Sequence, residues 1–489
     1  MTAARISASV LASARQSPCA PFTLALEGTN GTDTFRADRV LRHLPGRRLV
    51  AVGQYANRTA VAKIFVGRHA GRDVAREASG LAALLTVIDT PLQMAQTRLA
   101  DTQLPTSVLL LDFHPGELLR NHVDTGSHVA IHDIIVQLAA MLGGLHANGY
   151  RQQDPHLSNF LCAADGHLVA VDGGAVSGPR RLTATQRRDD LALLLAQFLP
   201  EADRHAPAAL AAYASRTAAG FDLPALRARS AFMRARRLRQ QLRKCWRNCS
   251  EFAVERGASR VVAVRRAEAS PLLDVLLRDP DAAIAAGHTL KAGNTATVTR
   301  VRCGDRDLVI KRFNIRGFTH RIRRALSRSR AEHDWEAAVM LRFFGVPTPA
   351  PVAVIIERLG PLRGRGFFLS EHVHGSGADT LREASTLDAG LAAAFTHTFS
   401  RLLAAGVVHG DLKATNLLLA ANAIQVLDLD AVRRPRRAHA FRHGWQRDVA
   451  RFLRNFDGNP PLRADFAELL AGLSTAVDDG AVVPDVRWR

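Results

Sequence analysis

Residues 401–431 contain three polar side chains whose types and spacing are those of a phosphoryl-transfer site. Asp411 lies in a His-Gly-Asp-Leu-Lys loop, Asn416 follows five residues later, and Asp428 ends an apolar run twelve residues after that. A loop aspartate can orient a hydroxyl group and accept its proton. An asparagine and a second aspartate offer the hard oxygen ligands that Mg²⁺ prefers. The pattern therefore predicts transfer of a phosphoryl group to a hydroxyl.

The same order of residues occurs a second time, in residues 144–175. Asp154 and Asn159 are again five residues apart, and Asp172 follows Asn159 by thirteen residues at the end of another apolar run. The two loop aspartates are separated by 257 residues (411 minus 154). Solenoid repeats have far shorter periods, so this one indicates duplicated domains.

Each copy is preceded by a strand-like segment with a central lysine, AVAKIFV around Lys63 and LVIKRF around Lys311. Only five of the 65 basic residues are lysines, so a lysine here marks a place where a compact positive charge is needed. A helical pattern with acidic residues follows each lysine. Glu77 is the candidate partner of Lys63. The candidates for Lys311 are Glu332, Asp334 and Glu336, of which Glu336 is preferred.

These parts match a kinase-type site, in which the strand lysine binds the α- and β-phosphates of ATP and the helix acid holds the lysine in place. Asp411 and Asp154 are then the predicted catalytic bases. The predicted metal ligands are Asn416 with Asp428 and Asn159 with Asp172. Gly53 in AVGQYANRTAV and Gly293 in LKAGNTATVTRV are candidates for a loop that covers the phosphates, although an ordinary hairpin turn explains either glycine equally well.

The second half of the chain, from about residue 288 to residue 430, resembles the bacterial lipopolysaccharide core kinases, the Kdo/heptose kinase family. The likeness lies in the segments LKAGNTATVTRV, VIKRFN, GVPTPAPVAV, FLSEHVHG, VVHGDLKATNLLL and IQVLDLDAV. The resemblance implies a two-lobed kinase that uses ATP and Mg²⁺ to phosphorylate a Kdo or heptose hydroxyl of the inner core.

The resemblance also implies roles for single residues. The family often has glutamate at the position of Asp334, and this departure leaves the partner of Lys311 open among three acids. The implied roles are phosphate binding for Lys311, catalytic base for Asp411, assistance to the γ-phosphate for Lys413, metal binding for Asn416 and Asp428, and a hinge against adenine for residues 368–373.

The first half resembles the same superfamily more distantly. Gln152 replaces the loop histidine and Pro155-His156 replaces Leu412-Lys413, so the DPHxxN loop is similar to that of the atypical kinases related to the ABC-one family. The DGG sequence at residues 172–174 lacks the aromatic residue of the familiar DFG and predicts a looser metal-binding turn. Two interpretations stay open: a second active kinase, and a non-catalytic partner that stabilises the second domain.

The length and composition set the domain organisation. A chain of 489 residues with 47% hydrophobic residues is too long for one ordinary domain and can bury substantial cores. We predict an α+β fold with two protein-kinase-like bilobal domains in tandem, each with a small β-rich N-lobe and a helical C-lobe. A flexible lead is expected over residues 1–35, the first domain over 36–250 and the second over 256–489.

The net charge of +20 favours an anionic partner. Two basic clusters stand out, residues 227–247 and residues 320–330. They fit a phosphorylated lipopolysaccharide core or lipid A-core acceptor and an anionic inner-membrane surface. Nucleic acid is disfavoured, because aromatic residues make up 6% of the chain and no basic-aromatic platform or zinc module is recognisable.

Localisation follows from three weaker signals. Five scattered cysteines indicate a reducing compartment, no apolar stretch is expected to reach the ~18 residues of a membrane span, and the N-terminus does not read as a signal peptide. We expect a cytoplasmic protein peripherally associated with the inner membrane. The alternatives to a lipopolysaccharide kinase are an atypical protein or small-molecule kinase and a membrane-associated pseudokinase scaffold.

Overall fold

The chain divides into two compact units in a computed structural model. Unit one comprises residues 1–198 and 202–230, and unit two comprises residues 199–201 and 231–489. The mixture of helices and strands confirms the predicted α+β class. The described residues are 4–5, 20–28, 31–100, 102–125, 128–217, 220–293, 295–314, 329–359, 362–384, 386–421 and 423–478.

The main sheet of unit one positions Lys63. Its strands are β1 (Ala4–Arg5), β2 (Phe22–Gly28), β3 (Gly31–Leu44), β4 (Arg48–Tyr55), β5 (Arg58–Val66), β6 (Gln93–Thr97) and β7 (Thr106–Asp112). Within the described part of the unit their spatial order is β1-β2-β3-β4-β5-β7-β6, and every pair except β1–β2 is antiparallel. Lys63 lies in β5 opposite Val50 and Leu109, so neighbouring strands cover it on both sides.

Ordered structure in unit one begins before residue 36, where the sequence predicted the first domain to start. Phe22, Leu24 and Leu26 alternate along β2, and all three are fully buried in the core of the sheet. Apolar side chains at every second position bury one face of a strand. The expected flexible lead over residues 1–35 therefore includes a core strand. Residues 1–3 and 6–19 lie outside the described residues.

Helices and short strands complete unit one. The helices are α1 (Ala70–Leu85), α2 (Leu119–Thr125), α3 (His128–Ala147), α4 (Ala184–Leu195), α5 (Ala206–Ala214) and the start of α6 (Leu223–Lys244). The short strands are β8 (Glu117–Leu118), β9 (Arg151–Gln152), β10 (Phe160–Cys162), β11 (Leu168–Ala170) and β12 (Val176–Ser177). Helix α1 buries Val74, Glu77 and Leu81, which lie on one face at helical spacing. This face turns Glu77 toward the sheet.

Helix α3 corrects one expectation. Its stretch Ala130–Ala147 has the length and, at 1.3, the mean hydropathy of a candidate membrane span, and half of it is buried inside the structure. The expectation that no apolar stretch reaches this length was therefore wrong by this measure. Leu138, Leu142 and Leu145 are fully buried, and His146 Nδ1 lies 2.8 Å from the hydroxyl of Tyr213 in α5.

The main sheet of unit two positions Lys311 in the same way. Its strands are β13 (Phe252–Arg256), β14 (Arg260–Arg265), β15 (His288–Ala292), β16 (Ala296–Cys303), β17 (Arg306–Phe313), β18 (Pro351–Leu359) and β19 (Leu362–Glu371). Their spatial order within the described part of the unit is β13-β14-β18-β19-β17-β16-β15. Lys311 lies in β17 opposite Val298 and Phe368. Lysine and valine thus face each other across the hairpin, as Lys63 and Val50 do in unit one.

The rest of unit two is largely helical. Its helices are α7 (Pro271–Arg278), α8 (Pro280–Ala286), α9 (Arg330–Phe343), α10 (Ala389–Ala405), α11 (Ala438–Leu453) and α12 (Pro460–Asp478). Three short strands, β20 (Ser376–Gly377), β21 (Leu417–Ala420) and β22 (Ala423–Val426), form a small sheet. Helices α10, α11 and α12 pack through the buried rings of Phe399, Phe452 and Phe466. This packing supports the loop that carries Asp411.

The boundary between the units differs from the expected break at residues 250–256. It falls between residues 230 and 231, inside α6. Leu238 and Cys245 are buried in the same core as Phe252 and Trp335 of unit two. The basic charge of α6 suggested a helix that closes the first domain, but its apolar positions beyond residue 230 belong to unit two.

Candidate functional site

Lys311 lies at the centre of the candidate site in unit two. Its Nζ atom donates to Asp428 Oδ1 at 2.6 Å and to Asp334 Oδ2 at 3.0 Å, and Asp430 Oδ2 is 3.4 Å away. Burial disfavours the charged ammonium group, but the three carboxylates outweigh burial and raise the pKa of Lys311 above its usual value. The lysine is therefore charged throughout the physiological pH range.

Asp334 is the helix acid at Lys311, which corrects the preference for Glu336. Helix α9 turns Asp334 inward, where its side chain is 1% exposed. Glu336 instead accepts a hydrogen bond from Trp246 Nε1 at 2.7 Å.

The third candidate, Glu332, caps the helix. Its side chain accepts the backbone N–H of Ser329 at 3.0 Å and completes a capping box. All three acids lie in the first two turns of α9, so their spacing alone does not decide which one faces Lys311. The burial of Trp335 fixes the rotation of the helix and with it the choice.

The carboxyl groups around Lys311 are crowded. Burial raises the pKa of Asp334 well above its usual value, and the neighbouring Asp430 raises it further. Although burial works the other way, Lys311 and Arg330 hold the pKa of Asp430 below its usual value, and Arg330 Nη2 also donates to Asp430. Three carboxyl groups thus surround one lysine, and a divalent cation would relieve the crowding.

The loop that carries Asp411 is held by a buried aspartate of α11. Asp448 accepts the backbone N–H groups of His409 at 2.7 Å and Gly410 at 3.0 Å. Burial lowers the pKa of His409, so the imidazole is neutral. Its Nε2 faces the carbonyl of Leu427 at 2.9 Å and its Nδ1 faces the N–H of Asp411 at 3.3 Å. These partners place the proton on Nε2 and make Nδ1 the acceptor.

Two cations flank the carboxylate of Asp411. Lys413 Nζ lies 3.1 Å from one oxygen, and Arg451 Nη2 of α11 lies 2.5 Å from the other. All three side chains are partly exposed. The carboxylate is therefore fixed from both sides while a bound molecule can still reach it.

Asn416 and Asp428 supply oxygen atoms that fit Mg²⁺. Asn416 Nδ2 donates to the backbone carbonyl of Asp411 at 2.9 Å, which leaves its amide oxygen as an acceptor. Asp428 has a φ of 52°, a left-handed conformation that is uncommon for residues other than glycine and that recurs at active sites. With the nearby carboxylate of Asp430, the donor set consists of the hard oxygens that Mg²⁺ prefers.

The remaining candidates in unit two lie in the turn between β15 and β16 and at the end of the central strand β19. Gly293 occupies the turn between β15 and β16, and its carbonyl accepts a hydrogen bond from Asn314 Nδ2 at 3.1 Å. Residues 368–373, the expected hinge, end β19 and continue past it. Phe368 is buried directly opposite Lys311.

Unit one brings Lys63, Glu77 and Asp172 together. Lys63 Nζ donates to Glu77 Oε1 and, at 2.5 Å, to the backbone carbonyl of Val171. Lys63 and Glu77 are almost completely buried. Glu77 Oε1 also accepts the backbone N–H of Gly173 at 3.2 Å, so helix α1 is tied to the turn that carries Asp172.

The loop of unit one repeats the contacts of the loop in unit two. Asn159 Nδ2 donates to the backbone carbonyl of Asp154 at 3.0 Å, as Asn416 does to Asp411. Gln152 Oε1 accepts the N–H of Asp154 at 3.1 Å. His156, at the position of Lys413, accepts the N–H of Ser158 through Nδ1 at 3.1 Å.

Gly53 does not lie in a loop near Lys63. It sits inside β4 beside β3, where a Cβ atom would come within 1.9 Å of the carbonyl oxygen of Arg36. Its role is close strand packing at an irregular pairing rather than phosphate contact. The hairpin turn nearest Lys63 is instead formed by residues 45–47, where Gly46 has a φ of 68°.

The DGG turn is tightly packed, against the expectation that it is loose. A Cβ atom on Gly173 would lie 2.4 Å from the backbone nitrogen of Leu81, and one on Gly80 would lie 1.9 Å from the carbonyl oxygen of Gly173. Helix α1 therefore approaches the turn backbone to backbone. Glycine here replaces the packing of an aromatic ring with direct contact between main chains.

Arg48 distinguishes unit one from unit two. It starts β4, and its Nη2 donates to Asp172 Oδ2 at 3.3 Å and lies 3.9 Å from Glu77 Oε2. Although burial works the other way, Lys63 and Arg48 lower the pKa of Asp172 below its usual value. A guanidinium group thus already binds the carboxylate that was predicted to hold a metal ion. The residues of unit one therefore do not fit the predicted Mg²⁺ site as those of unit two do.

Four of these residues were missed in the sequence. Asp430 had a visible signal, because the DLD sequence carries two acids, of which the prediction includes only Asp428. The others had none, since long-range packing alone brings them to the sites; they are Arg48, Asp448 and Arg451.

The basic helix is less open than its sequence indicates. In α6, Arg229 is paired with Asp189 through bonds of 2.8 and 2.6 Å, and Arg234 is buried. Arg236, Arg243 and Lys244 are exposed. In the second basic cluster, residues 320–328 lie outside the described residues.

Unit two gathers the parts of a phosphotransferase site at one place. These parts are a strand lysine, a helix acid, a loop aspartate and an asparagine–aspartate pair. Residues 282–472 match the model of the Lipopolysaccharide kinase (Kdo/WaaP) family, which confirms the family predicted for this half of the chain and supports a phosphotransferase. A comparison with curated proteins found no match.

Proposed function

We propose that unit two transfers the γ-phosphoryl group of ATP, in the presence of Mg²⁺, to a Kdo or heptose hydroxyl of the lipopolysaccharide inner core. One observation carries the proposal. The stretch that matches the lipopolysaccharide kinase family is also the stretch that gathers Lys311, Asp411, Asn416 and Asp428. We infer a protein-kinase-like arrangement for both units from the repeated order of these parts.

The proposed reaction gives each side chain a task. Asp411 accepts the proton of the attacking hydroxyl, and Lys413 and Arg451 hold its carboxylate in place. Lys311 binds the α- and β-phosphates and keeps Asp334 as its partner. Bound Mg²⁺ supplies neutralisation of the phosphate charge, with Asn416 and Asp428 as its protein ligands.

The acceptor and the location are part of the proposal. Lys413 and Arg451 place positive charge beside the position of the acceptor hydroxyl, which suits an acceptor that carries phosphate or carboxylate groups. The exposed cations of α6 suit the anionic face of the inner membrane. We propose a cytoplasmic protein that works at this membrane surface.

The test is transfer of labelled phosphate from ATP to dephosphorylated lipopolysaccharide core by wild type, Asp411→Asn and Asp154→Asn. The proposal expects Asp411→Asn to lose the product. If Asp154→Asn loses a different product, unit one is a second kinase; if it loses none, unit one is a partner domain. Transfer to peptides or small metabolites, with none to the core, would contradict the proposed acceptor.

A further inference from the structure

We propose that unit one binds a nucleoside triphosphate without a divalent cation, because Arg48 takes the position of the metal. This inference rests on the proposed function, which makes the site around Lys63 a nucleotide site. It starts from the contact between Arg48 and Asp172.

The guanidinium group of Arg48 is built into the site. Its side chain is 18% exposed, and the charged end stacks over the ring of Phe65 at 5.2 Å from the ring centre. Its Nε has no hydrogen-bond partner among the described residues. A mobile surface arginine would not be buried in this way. The guanidinium group of Arg48 is therefore held in a fixed position in the site.

Both oxygens of Asp172 already have donors. Oδ2 accepts from Arg48, and Oδ1 accepts the backbone N–H of Gly174 at 3.0 Å. A Mg²⁺ ion demands a near-ideal octahedral shell and would meet a fixed positive charge next to its main ligand. Unit one therefore does not need the ion to offset the charge of Asp172. In unit two, by contrast, Lys311 donates to one oxygen of Asp428, and no described residue donates to the other.

The charges around the two lysines differ accordingly. In unit one the two cations Lys63 and Arg48 face the two carboxylates of Glu77 and Asp172. In unit two, the two cations Lys311 and Arg330 face three carboxyl groups, so one carboxyl group more than in unit one is left for a divalent cation to offset when a triphosphate binds.

Arg48 also stands at the correct place for phosphate. It follows directly after the hairpin turn of residues 45–47, the turn nearest Lys63. A planar guanidinium group binds phosphate oxygens through two parallel hydrogen bonds, which a single point charge does not. Together, Lys63 and Arg48 offer a triphosphate the positive charge that Mg²⁺ supplies elsewhere. At the corresponding position of unit two, two residues before Val298, the chain has Ala296.

The test is calorimetric titration of the full-length protein with the non-hydrolysable ATP analogue AMP-PNP, in EDTA and in Mg²⁺. We expect about one bound nucleotide per chain in EDTA and about two in Mg²⁺. Lys63→Met is expected to abolish binding in EDTA, and Lys311→Met to retain it. Binding in EDTA that depends on Lys311 instead of Lys63 would overturn the proposal.

Arg48→Ala is expected to weaken binding in EDTA by about tenfold or more, the usual effect of losing a hydrogen bond to a charged group. Arg72→Ala is the matched control, because Arg72 is an exposed arginine of α1 that lies outside the buried face of the helix. If Arg48→Ala binds as tightly as wild type in EDTA, the proposal is overturned. If Arg48→Ala does not fold, the titrations of the wild type in EDTA and in Mg²⁺ still decide whether nucleotide binds without a divalent cation.

The outcome separates this inference from the proposed function. Two sites that both require Mg²⁺ would overturn the inference and leave a Mg²⁺-dependent kinase intact. Absence of nucleotide binding under both conditions would overturn the proposed function, and this inference with it.

Discussion

Gln152 of unit one and His409 of unit two each accept the backbone N–H of the loop aspartate, one through an amide oxygen and the other through an imidazole nitrogen. Gln152 Oε1 accepts the N–H of Asp154 at 3.1 Å, and His409 Nδ1 accepts the N–H of Asp411 at 3.3 Å. In each case the acceptor lies two residues before the loop aspartate. The contact fixes the backbone of that aspartate, and an amide can make it as well as a neutral imidazole.

This equivalence predicts that His409→Gln keeps most of the phosphotransferase activity of unit two. His409→Ala leaves the N–H of Asp411 without its partner, so we expect kcat to fall about tenfold to a hundredfold as the base is displaced. The measurement is kcat for phosphate transfer to the core acceptor, with melting temperatures as a control for folding. Equal losses in both variants would contradict the equivalence.

Arg451 is expected to act by positioning Asp411. Arg451→Ala removes the ion pair at 2.5 Å, and we expect kcat to fall about tenfold or more while the affinity for ATP is unchanged. Arg447→Ala, an exposed arginine on the same helix, is the matched control. A rise in the Kd of ATP without a fall in kcat would show that Arg451 acts elsewhere.

The acid at Lys311 can be identified by two substitutions. Asp334→Ala leaves a nearly buried lysine without its helix partner, so we expect nucleotide binding to weaken about tenfold or more. Glu336→Gln keeps a side chain that can accept the bond from Trp246 and is expected to bind nucleotide like wild type. Titration with AMP-PNP and Mg²⁺ compares the two variants. Weaker nucleotide binding by Glu336→Gln than by Asp334→Ala would show that Glu336 is the partner of Lys311.

The glycine contact between α1 and the DGG turn predicts a cost in stability. Gly173→Ala places a methyl group 2.4 Å from the backbone nitrogen of Leu81, and we expect it to lower the free energy of unfolding by about 1–3 kcal/mol. Gly220→Ala is the control for glycine replacement at a site with open space and, as at Gly173, no left-handed φ. Chemical denaturation measures both, and an unchanged midpoint for Gly173→Ala would contradict the packing.

His409 predicts a pH dependence with a definite sign. Burial lowers its pKa in the folded state, so between that value and the ordinary pKa of about 6.5 the unfolded chain binds more protons. The contribution of His409 to the free energy of unfolding is therefore complete above the ordinary pKa of about 6.5. It is lost as the pH falls from there toward the lower pKa of the folded state. The charges that face it are those of Asp448, Asp428 and Asp411. Urea midpoints at pH 7.5 and 5.5 should therefore differ more for wild type than for His409→Gln.

The parts of the sites were predictable because their order and spacing are local properties of the chain. Asp411 and Asn416, like Asp154 and Asn159, are bound together by a hydrogen bond across five residues, so their spacing is itself a structural requirement. The strand lysines can be recognised in the sequence because apolar residues flank each of them. The α+β class followed from the same alternation of patterns.

Side-chain contacts that depend on tertiary packing could not be predicted from local patterns in the sequence. Spacing places Glu332, Asp334 and Glu336 on one helix but does not give its rotation, which Trp335 sets. Gly53 looked like a loop glycine because the length of β4 depends on its pairing with β3. Arg48 and Asp172 are 124 residues apart, and nothing local marks them as partners.

The burial of the strand lysines has a practical consequence for chemical labelling. Lys63 and Lys311 have side chains 5% and 13% exposed and are held by carboxylates, whereas Lys244 and Lys291 are exposed and Lys413 is partly exposed. A small amine-reactive reagent will therefore acylate the three accessible lysines first. A reagent that delivers the acyl group from a nucleotide will reach the two buried ones. With five lysines in the whole chain, a mass spectrum of the labelled peptides reads out the occupancy of each site separately.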